Sequence, residues 1–309
     1  MALVSDATKM KNIHLEHPED SVLNGDLSVL NWFVTPGSLS VKMDGSPAIV
    51  WGVDPANDQF FVGTKAVFNK IKIRIAHSHE EIDQFYEGNV ANVLHECFDV
   101  LPRYDGQSFI YQGDFIGFGG ASEYTSNIIT YKFPEIVHHK IIVAPHTEYD
   151  SKTTLRDAVA YPMDNLFLAD TDEVKFVKPL AYILYDQESF ADVEEICSFA
   201  RQMATTCTFV SGKQLTELKK AINTCIREQR EIEDDAFDCD PNLIRLWKLV
   251  ASIKDDCLFL CRNNGPLASI NEDRVDAEGY VMVNEHGMYK LVNRRVFSYY
   301  NFVLPKAWS

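Results

Sequence analysis

Lys42, Met43, Asp44 and Gly45 fall where an alternating, β-branched run gives way to a turn. Of these residues Lys42 has the most chemistry to offer. An ammonium is not a nucleophile until it loses its proton, which a lysine does once burial or neighbouring cations depress its pKa. The freed amine can then attack an electrophilic phosphorus. Gly45 lets the backbone approach a ligand closely, or take a turn that a Cβ would forbid. Taken alone, the tetrapeptide fits equally well a surface hairpin in which Asp-Gly makes the turn and the lysine is solvated.

Further fragments follow in order along the chain. Thr64-Lys65 comes after the strand-like run Phe60 to Gly63. Phe109 to Phe115 is β-rich and places Asp114 beside Gly113. Glu278-Gly279 leads into another strand-like run, Tyr280 to Val283, and Lys290 stands on the next, ahead of Arg294 and Arg295. Each fragment has a plain reading as strand plus turn. Their joint occurrence in this order is the signal.

In this order the fragments resemble the motifs of the covalent nucleotidyltransferases, the ATP-dependent ligases and mRNA capping enzymes, and the RNA ligases more than the DNA ligases. Lys42-Met43-Asp44-Gly45-Ser46 resembles motif I, and Thr64-Lys65 is similar to motif Ia of tRNA-repair RNA ligases. Tyr111-Gln112-Gly113-Asp114-Phe115 resembles motif III, with Asp where the family usually has Glu. Glu278-Gly279-Tyr280-Val281 is similar to motif IV, and Lys290-Leu291-Val292 to motif V, except that Val292 stands where the family has a second lysine. The stretches from His14 to Asp20 and from Phe61 to Lys65 also resemble ligase-like proteins of large tailed bacteriophages. That resemblance implies a cytoplasmic location in an infected bacterial host.

The resemblance implies an α+β fold of mixed, largely antiparallel sheets, and Lys42 as the nucleophile that takes AMP from ATP, with ATP favoured over GTP. It implies a nucleotide site built from Val41, Asp44, Gly45, Lys65, Asp114, Glu278, Lys290, Arg294 and Arg295. Lys65 and Lys290 would face the phosphates, Arg294 or Arg295 would replace the lysine missing at Val292, and Asp44 would orient the turn. Asp114 and Glu278 would hold ribose or a divalent metal, with magnesium favoured by hard oxygen ligands. The AMP would pass to a 5′-phosphate RNA end, as in tRNA or nicked nucleic acid, and a 3′-hydroxyl would displace it. Two departures, Asp114 and Val292, keep open a decayed scaffold on the same fold, as well as a nucleotidyltransferase with a non-nucleic-acid acceptor.

The elements that must position these residues can be sketched from periodicity. Residues 37–75 read as a meander of strands, 79–100 as a helix, and 107–117 and 137–144 as strands. Residues 61–74 carry Lys65, Lys70, Lys72 and Arg74, a basic stripe if the segment is a strand. From about residue 187 the period becomes helical: Val193, Cys197 and Ala200, then Leu218, Ile222 and Ile226, then Leu243, Trp247 and Val250 after Asp240-Pro241. The chain thus divides into a nucleotidyltransferase domain, 1–185 plus 267–309, and a helical insertion, 186–266. No OB domain fits after the last motif, so substrate recognition would fall to the insertion or to a protein partner. Trp51, Tyr111 and Phe115 are candidate base stackers, and the terminal aromatics from Phe297 to Trp308 read as core anchors.

Composition sets the outer limits. The 309 residues are 46% hydrophobic and 24% charged, an ordinary globular balance. No apolar run is long enough to span a bilayer, and the amino terminus lacks a secretory pattern. The seven cysteines are scattered and read as free thiols in a reducing compartment. A net charge of −16 argues against a broad nucleic-acid grip, though it leaves room for a local basic cleft. No P-loop pattern occurs, and His77, His79, His138 and His139 lack a third ligand at metal spacing. The acidic residues from Glu231 to Asp240 read as a solvated linker.

Overall fold

The computed structural model describes residues 15–103, 110–163, 168–184 and 187–305; His14, Phe109 and Trp308 lie outside them. The chain opens with two short helices, α1 (Pro18–Ser21) and α2 (Ser28–Trp32), then strands β1 (Ser38–Lys42), β2 (Ala48–Asp54) and β3 (Gln59–Gly63). Helices α3 (His79–Phe85) and α4 (Gly88–Val100) precede β4 (Ile110–Phe118), β5 (Glu123–Ser126), β6 (Ile129–Lys132) and β7 (Ile141–Asp150). Next come β8 (Val159–Pro162), β9 (Val174–Phe176) and β10 (Ala181–Ile183), then helices α5 (Gln187–Ala204), α6 (Gly212–Arg227) and α7 (Pro241–Leu260). The chain ends through β11 (Cys261–Asn263), β12 (Leu267–Ile270), β13 (Asp273–Val275), β14 (Gly279–Asn284), β15 (Gly287–Leu291) and α8 (Arg294–Val303). This is a mixed α+β arrangement with several antiparallel sheets. Among the described residues, no helix is long and apolar enough to cross a membrane.

Two sheets frame the candidate site. The larger runs β3-β2-β4-β7-β8, with β9 joining β7 in parallel. The smaller runs β1-β14-β15. β1 therefore leaves the expected meander: it pairs with β14, some 240 residues away in sequence, with Lys42 opposite Gly279. The chain crosses from one sheet to the other through Met43 to Pro47. Along this crossing Ser46 N–H donates to the Phe115 carbonyl at 2.9 Å, and Phe115 N–H donates to that of Pro47 at 3.0 Å.

The larger sheet has a helix-covered face. Ile49, Trp51, Tyr111, Phe115 and Val143 pack there with Ile82, Leu94 and Cys97. Trp51, Tyr111 and Phe115 are thus core residues on the face turned away from Asp114, since neighbouring residues on a strand alternate faces. This corrects the expectation that one of them stacks on a base.

The helix expected over 79–100 is two helices, because Tyr86 and Glu87 are extended and Gly88 takes a φ of 60°. A tertiary contact explains the break. The Tyr86 hydroxyl donates to the Arg74 carbonyl at 2.9 Å and accepts from Thr64 N–H at 3.2 Å. Those bonds also fold 64–74 into a loop. Thr64 caps a single 3₁₀ turn, Lys65–Phe68, so the lysines beyond it line no strand face.

The three long helices form as their periodicity predicts. Asp240 caps α7 by accepting from Asn242 N–H at 2.9 Å, with Pro241 in the first turn. The helical excursion leaves from β10 and returns through β11, which pair with each other, and Leu184 N–H donates to the Leu260 carbonyl at 2.9 Å. Its buried stripes share one core with the turn after α1, with α2 and with β15, including Leu23, Trp32, Tyr289 and Leu291. All seven cysteines are free thiols. The 231–240 segment is a linker in which Asp234 pairs with Arg245 and Lys248, both at 2.7 Å.

Candidate active site

Lys42 is the last residue of β1, and the Glu278-Gly279 turn sits directly opposite it. Glu278 N–H donates to the Lys42 carbonyl at 3.1 Å, and the two side chains form an ion pair. Gly279 has a φ of 145°, and a Cβ there would lie 2.2 Å from the Leu291 carbonyl oxygen. Only glycine fits, and the turn it permits returns Glu278 to Lys42. Gly45 has a similar reason for its type, because a Cβ would meet the Phe115 carbonyl oxygen at 2.6 Å and Asp114 Cβ at 2.9 Å. The glycine lets the crossing segment pass against β4 beside Asp114.

Asp44 orients this turn. Its N–H donates to the Tyr131 hydroxyl at 2.7 Å, and its carboxylate accepts from Asn127 Nδ2 at 2.9 Å. Val41, buried in β1, pairs with Tyr280.

Asp114 approaches from the larger sheet. Burial raises its carboxyl first, and the charges of Asp44 and Glu278 add to this against Lys42 and Lys65, leaving it at about 7. Beside it lies His146, with Nε2 3.6 Å from Asp114 Oδ2. His146 is aimed by a β-bulge: Gly113 pairs with Pro145 and Gln112 with Thr147, so the residue between has no partner in the ladder. Burial holds the imidazole below its ordinary pKa, and Lys42 and Lys65 push the same way, so it is neutral near pH 7. Nδ1 lies 2.7 Å from Thr147 Oγ1, and Nε2 lies 3.4 Å from the Gln112 side-chain amide nitrogen.

Lys42 itself is protonated. Burial alone would push its amine down, but the Glu278 carboxylate, with Asp114 and Asp44 beyond it, outweighs burial and holds the ammonium above its ordinary value. The expected depression of the lysine pKa does not occur in this state. Lys290 behaves in the opposite way: burial and then Lys42 push it below its ordinary value, against Glu278.

On the far side of Glu278 a cavity of about 420 Å³ opens toward α6 and α8. Glu278, Lys290, Val292 and Arg294 line it, with Arg227 and Phe302. Arg294 is engaged elsewhere as well. Its guanidinium donates to Glu19 at 2.9 Å, to Asp20 at 2.8 Å and to Asn223 at 2.6 Å. Lys254 binds the same Glu19 at 2.8 Å, and Trp247 Nε1 donates to Asp20 at 2.9 Å. Arg295 lies on the exposed side of α8 and does not line the cavity. Arg227, from α6, lines the same cavity as Val292.

Lys42, Asp44, Gly45, Lys65, Asp114, Glu278 and Lys290, scattered over some 250 residues, thus gather at one point between the two sheets. His146, Tyr131 and Asn127 join them without a signal in the local sequence, and Arg227 shares the cavity with Glu278. Among the described residues, no three His, Cys, Asp or Glu side chains form a ready metal cage. Compared with known proteins, the chain matches a family of unknown function, DUF6267, over residues 12–240 and 238–306, and it belongs to that family. No curated protein and no solved structure matches it.

Proposed function

We propose that this chain is an ATP-dependent, ligase-like nucleotidyltransferase with Lys42 as nucleophile and nucleic-acid ends, RNA ends first, as acceptors. The observation that carries this reading is the convergence, around one lysine, of carboxylates and cations from separate parts of the chain. A cluster of shifted titratable groups is what acid, base and nucleophile chemistry requires.

In the first step the Lys42 proton passes to the Glu278 carboxylate in contact with it. The amine then attacks the α-phosphorus of ATP. The N–P bond forms as the bond to the bridging oxygen breaks, and pyrophosphate leaves with the electron pair. In the second step an oxygen of a 5′-phosphate end attacks the same phosphorus, the P–N bond breaks, and Nζ regains a proton. A 3′-hydroxyl then displaces AMP from the activated end. Lys65 and Lys290 neutralise phosphate charge, and the Asp114–His146 pair can hold or release one proton near pH 7.

Asp114 and Glu278 suit magnesium. Both supply hard carboxylate oxygens, and such an ion takes few protein ligands beside phosphate and water. When bound, it would supply charge neutralisation at the phosphates.

One pair of observations favours the second reading, a decayed binding scaffold: Val292 replaces a lysine, and Lys42 is held as an ammonium. Intact mass after incubation with magnesium and ATP or GTP separates the two readings. Nucleotidyl transfer predicts a gain of one AMP that Lys42→Ala loses, and a gain of GMP instead would indicate capping-type chemistry. No gain in protein first stripped with pyrophosphate would favour the scaffold.

A further inference from the structure

The cavity beyond Glu278 has a composition the nucleotide-side residues do not explain. Glu278, the ion-pair partner of Lys42, lines it, whereas Lys42, Asp114, His146 and Lys65 do not. Besides Glu278 and the Lys290–Arg294 segment, its walls come from three places: His17 before α1, Asn223 and Arg227 on α6, and Ser298, Asn301 and Phe302 on α8. None of these belongs to the motif set. The volume of about 420 Å³ lies at the lower end of ligand pockets, roughly 300–1,000 Å³.

Charge and shape point to one kind of occupant. On a chain of net charge −16, Arg227 and Lys290 line a cavity whose one carboxylate is Glu278, beside Arg294, whose charge is met by Glu19 and Asp20. Cations concentrated in a cleft draw anions even to an acidic protein. Arg294 is 4% exposed, and its Nε–H has no hydrogen-bond partner among the described residues. Phe302 is 59% exposed, with the Arg227 guanidinium 4.8 Å from its ring centroid. A cation beside an open aromatic face is how single-stranded bases are held next to their phosphates. Asn223, Ser298 and Asn301 add neutral hydrogen-bonding groups that suit sugar and phosphate oxygens. Asn301 also reaches the turn that holds Lys42. Its Oδ1 accepts from Asn127 Nδ2 at 3.4 Å, and the same amide donates to Asp44.

We infer that this cavity is the seat of the acceptor: the 5′-phosphorylated terminal nucleotide of an RNA strand, with Arg227 and Lys290 on the phosphate and Phe302 against the base. The inference deepens the nucleotidyl-transfer reading, on which it rests for the fate of that phosphate, but the binding it predicts needs no chemistry at Lys42. It gives the helical excursion a function, since α6 supplies the phosphate cation that the β15 segment lacks at Val292.

The test is fluorescence anisotropy of the full chain, without ATP, on short single-stranded RNA labelled at the 3′ end. The strand carries either a 5′-phosphate or a 5′-hydroxyl. The phosphorylated strand should bind about tenfold more tightly, as expected for charge-assisted bonds to one phosphate. Arg227→Ala should erase the difference between the two ends, and Phe302→Ala should weaken both strands by a similar factor, about tenfold. Excess pyrophosphate should leave the RNA bound. Equal binding of the two ends by the unaltered protein, or a preference that survives Arg227→Ala, would overturn the inference. Displacement by pyrophosphate would reassign the cavity to the donor's leaving group, and displacement by a phosphoserine peptide would reassign it to a phosphoprotein. A 5′-phosphate preference lost in Arg227→Ala, in a protein that gains no nucleotide from ATP, would support the acceptor seat while nucleotidyl transfer fails.

Discussion

The charges around Arg294 and those around Lys42 meet along one short segment, Lys290 to Arg294, and they are arranged on opposite terms. Around Arg294, two cations face two carboxylates: Arg294 and Lys254 bind Glu19, and Arg294 also binds Asp20, all at 2.8–2.9 Å. Burial penalises Glu19 strongly, yet Lys254 and Arg294 still bring its carboxyl below the ordinary value. Every charge there is answered, and the cluster ties the amino-terminal helix to α7 and α8. Around Lys42 the groups are displaced from their ordinary states: Asp114 is pushed up to about 7, Lys290 down, and Lys42 up. The first cluster holds the fold together. The second shifts its groups away from their ordinary states, and clusters of that kind are candidates for functional sites.

Breaking a charge in each cluster should therefore do different things. Glu19→Gln leaves two buried cations short of a partner and should cost about 3–5 kcal/mol of unfolding free energy, read by urea denaturation. Glu278→Gln, at a pair whose lysine is 28% exposed, should change stability by no more than about 1 kcal/mol. Equal losses from the two variants would dissolve the distinction.

A smaller effect sharpens it. In Glu278→Gln the carboxylate that raises Lys42 is gone while burial still lowers it, so the amine should deprotonate at lower pH. Labelling by an amine-reactive reagent near pH 8, mapped by mass spectrometry, should become about tenfold faster at Lys42, the equivalent of one pKa unit. Unchanged labelling would mean that Glu278 does not govern the proton.

The smallest effect is a pH signature. Asp114 holds its proton more tightly folded than unfolded, so its contribution to stability is fully present near pH 4 and is lost as pH rises toward 7. Asp114→Asn, which cannot ionise, should raise Tm by about 3 °C above pH 7, and the gain should vanish near pH 4. A gain independent of pH would contradict the displaced carboxyl.

Much of this site is legible in the sequence where chemistry and backbone constraint coincide. Lys42 to Gly45 and Glu278-Gly279 are readable because their glycines are forced by close approach, to Phe115 in one case and Leu291 in the other. The helices over 187–260 are readable because three apolar stripes keep a helical period, with Asp240-Pro241 marking a start. The remainder depends on contacts distant in sequence. His146 enters the site through a bulge set by pairing with β4, past the residue where the strand pattern stops. Arg294 looks like a phosphate ligand until Glu19 and Asp20 engage it from the other end of the chain. The basic run from Lys65 to Arg74 looks like a strand until Tyr86 ties it into a loop.

Whether Lys42 carries a nucleotide is the most direct test of nucleotidyl transfer. Protein stripped with pyrophosphate would be incubated with magnesium and ATP labelled at the α-phosphorus, digested, and the labelled peptide sequenced by mass spectrometry. Nucleotidyl transfer predicts one acid-labile phosphoramidate, on Lys42, reversed by added pyrophosphate. Label on another residue, or none while the protein remains folded, would contradict it.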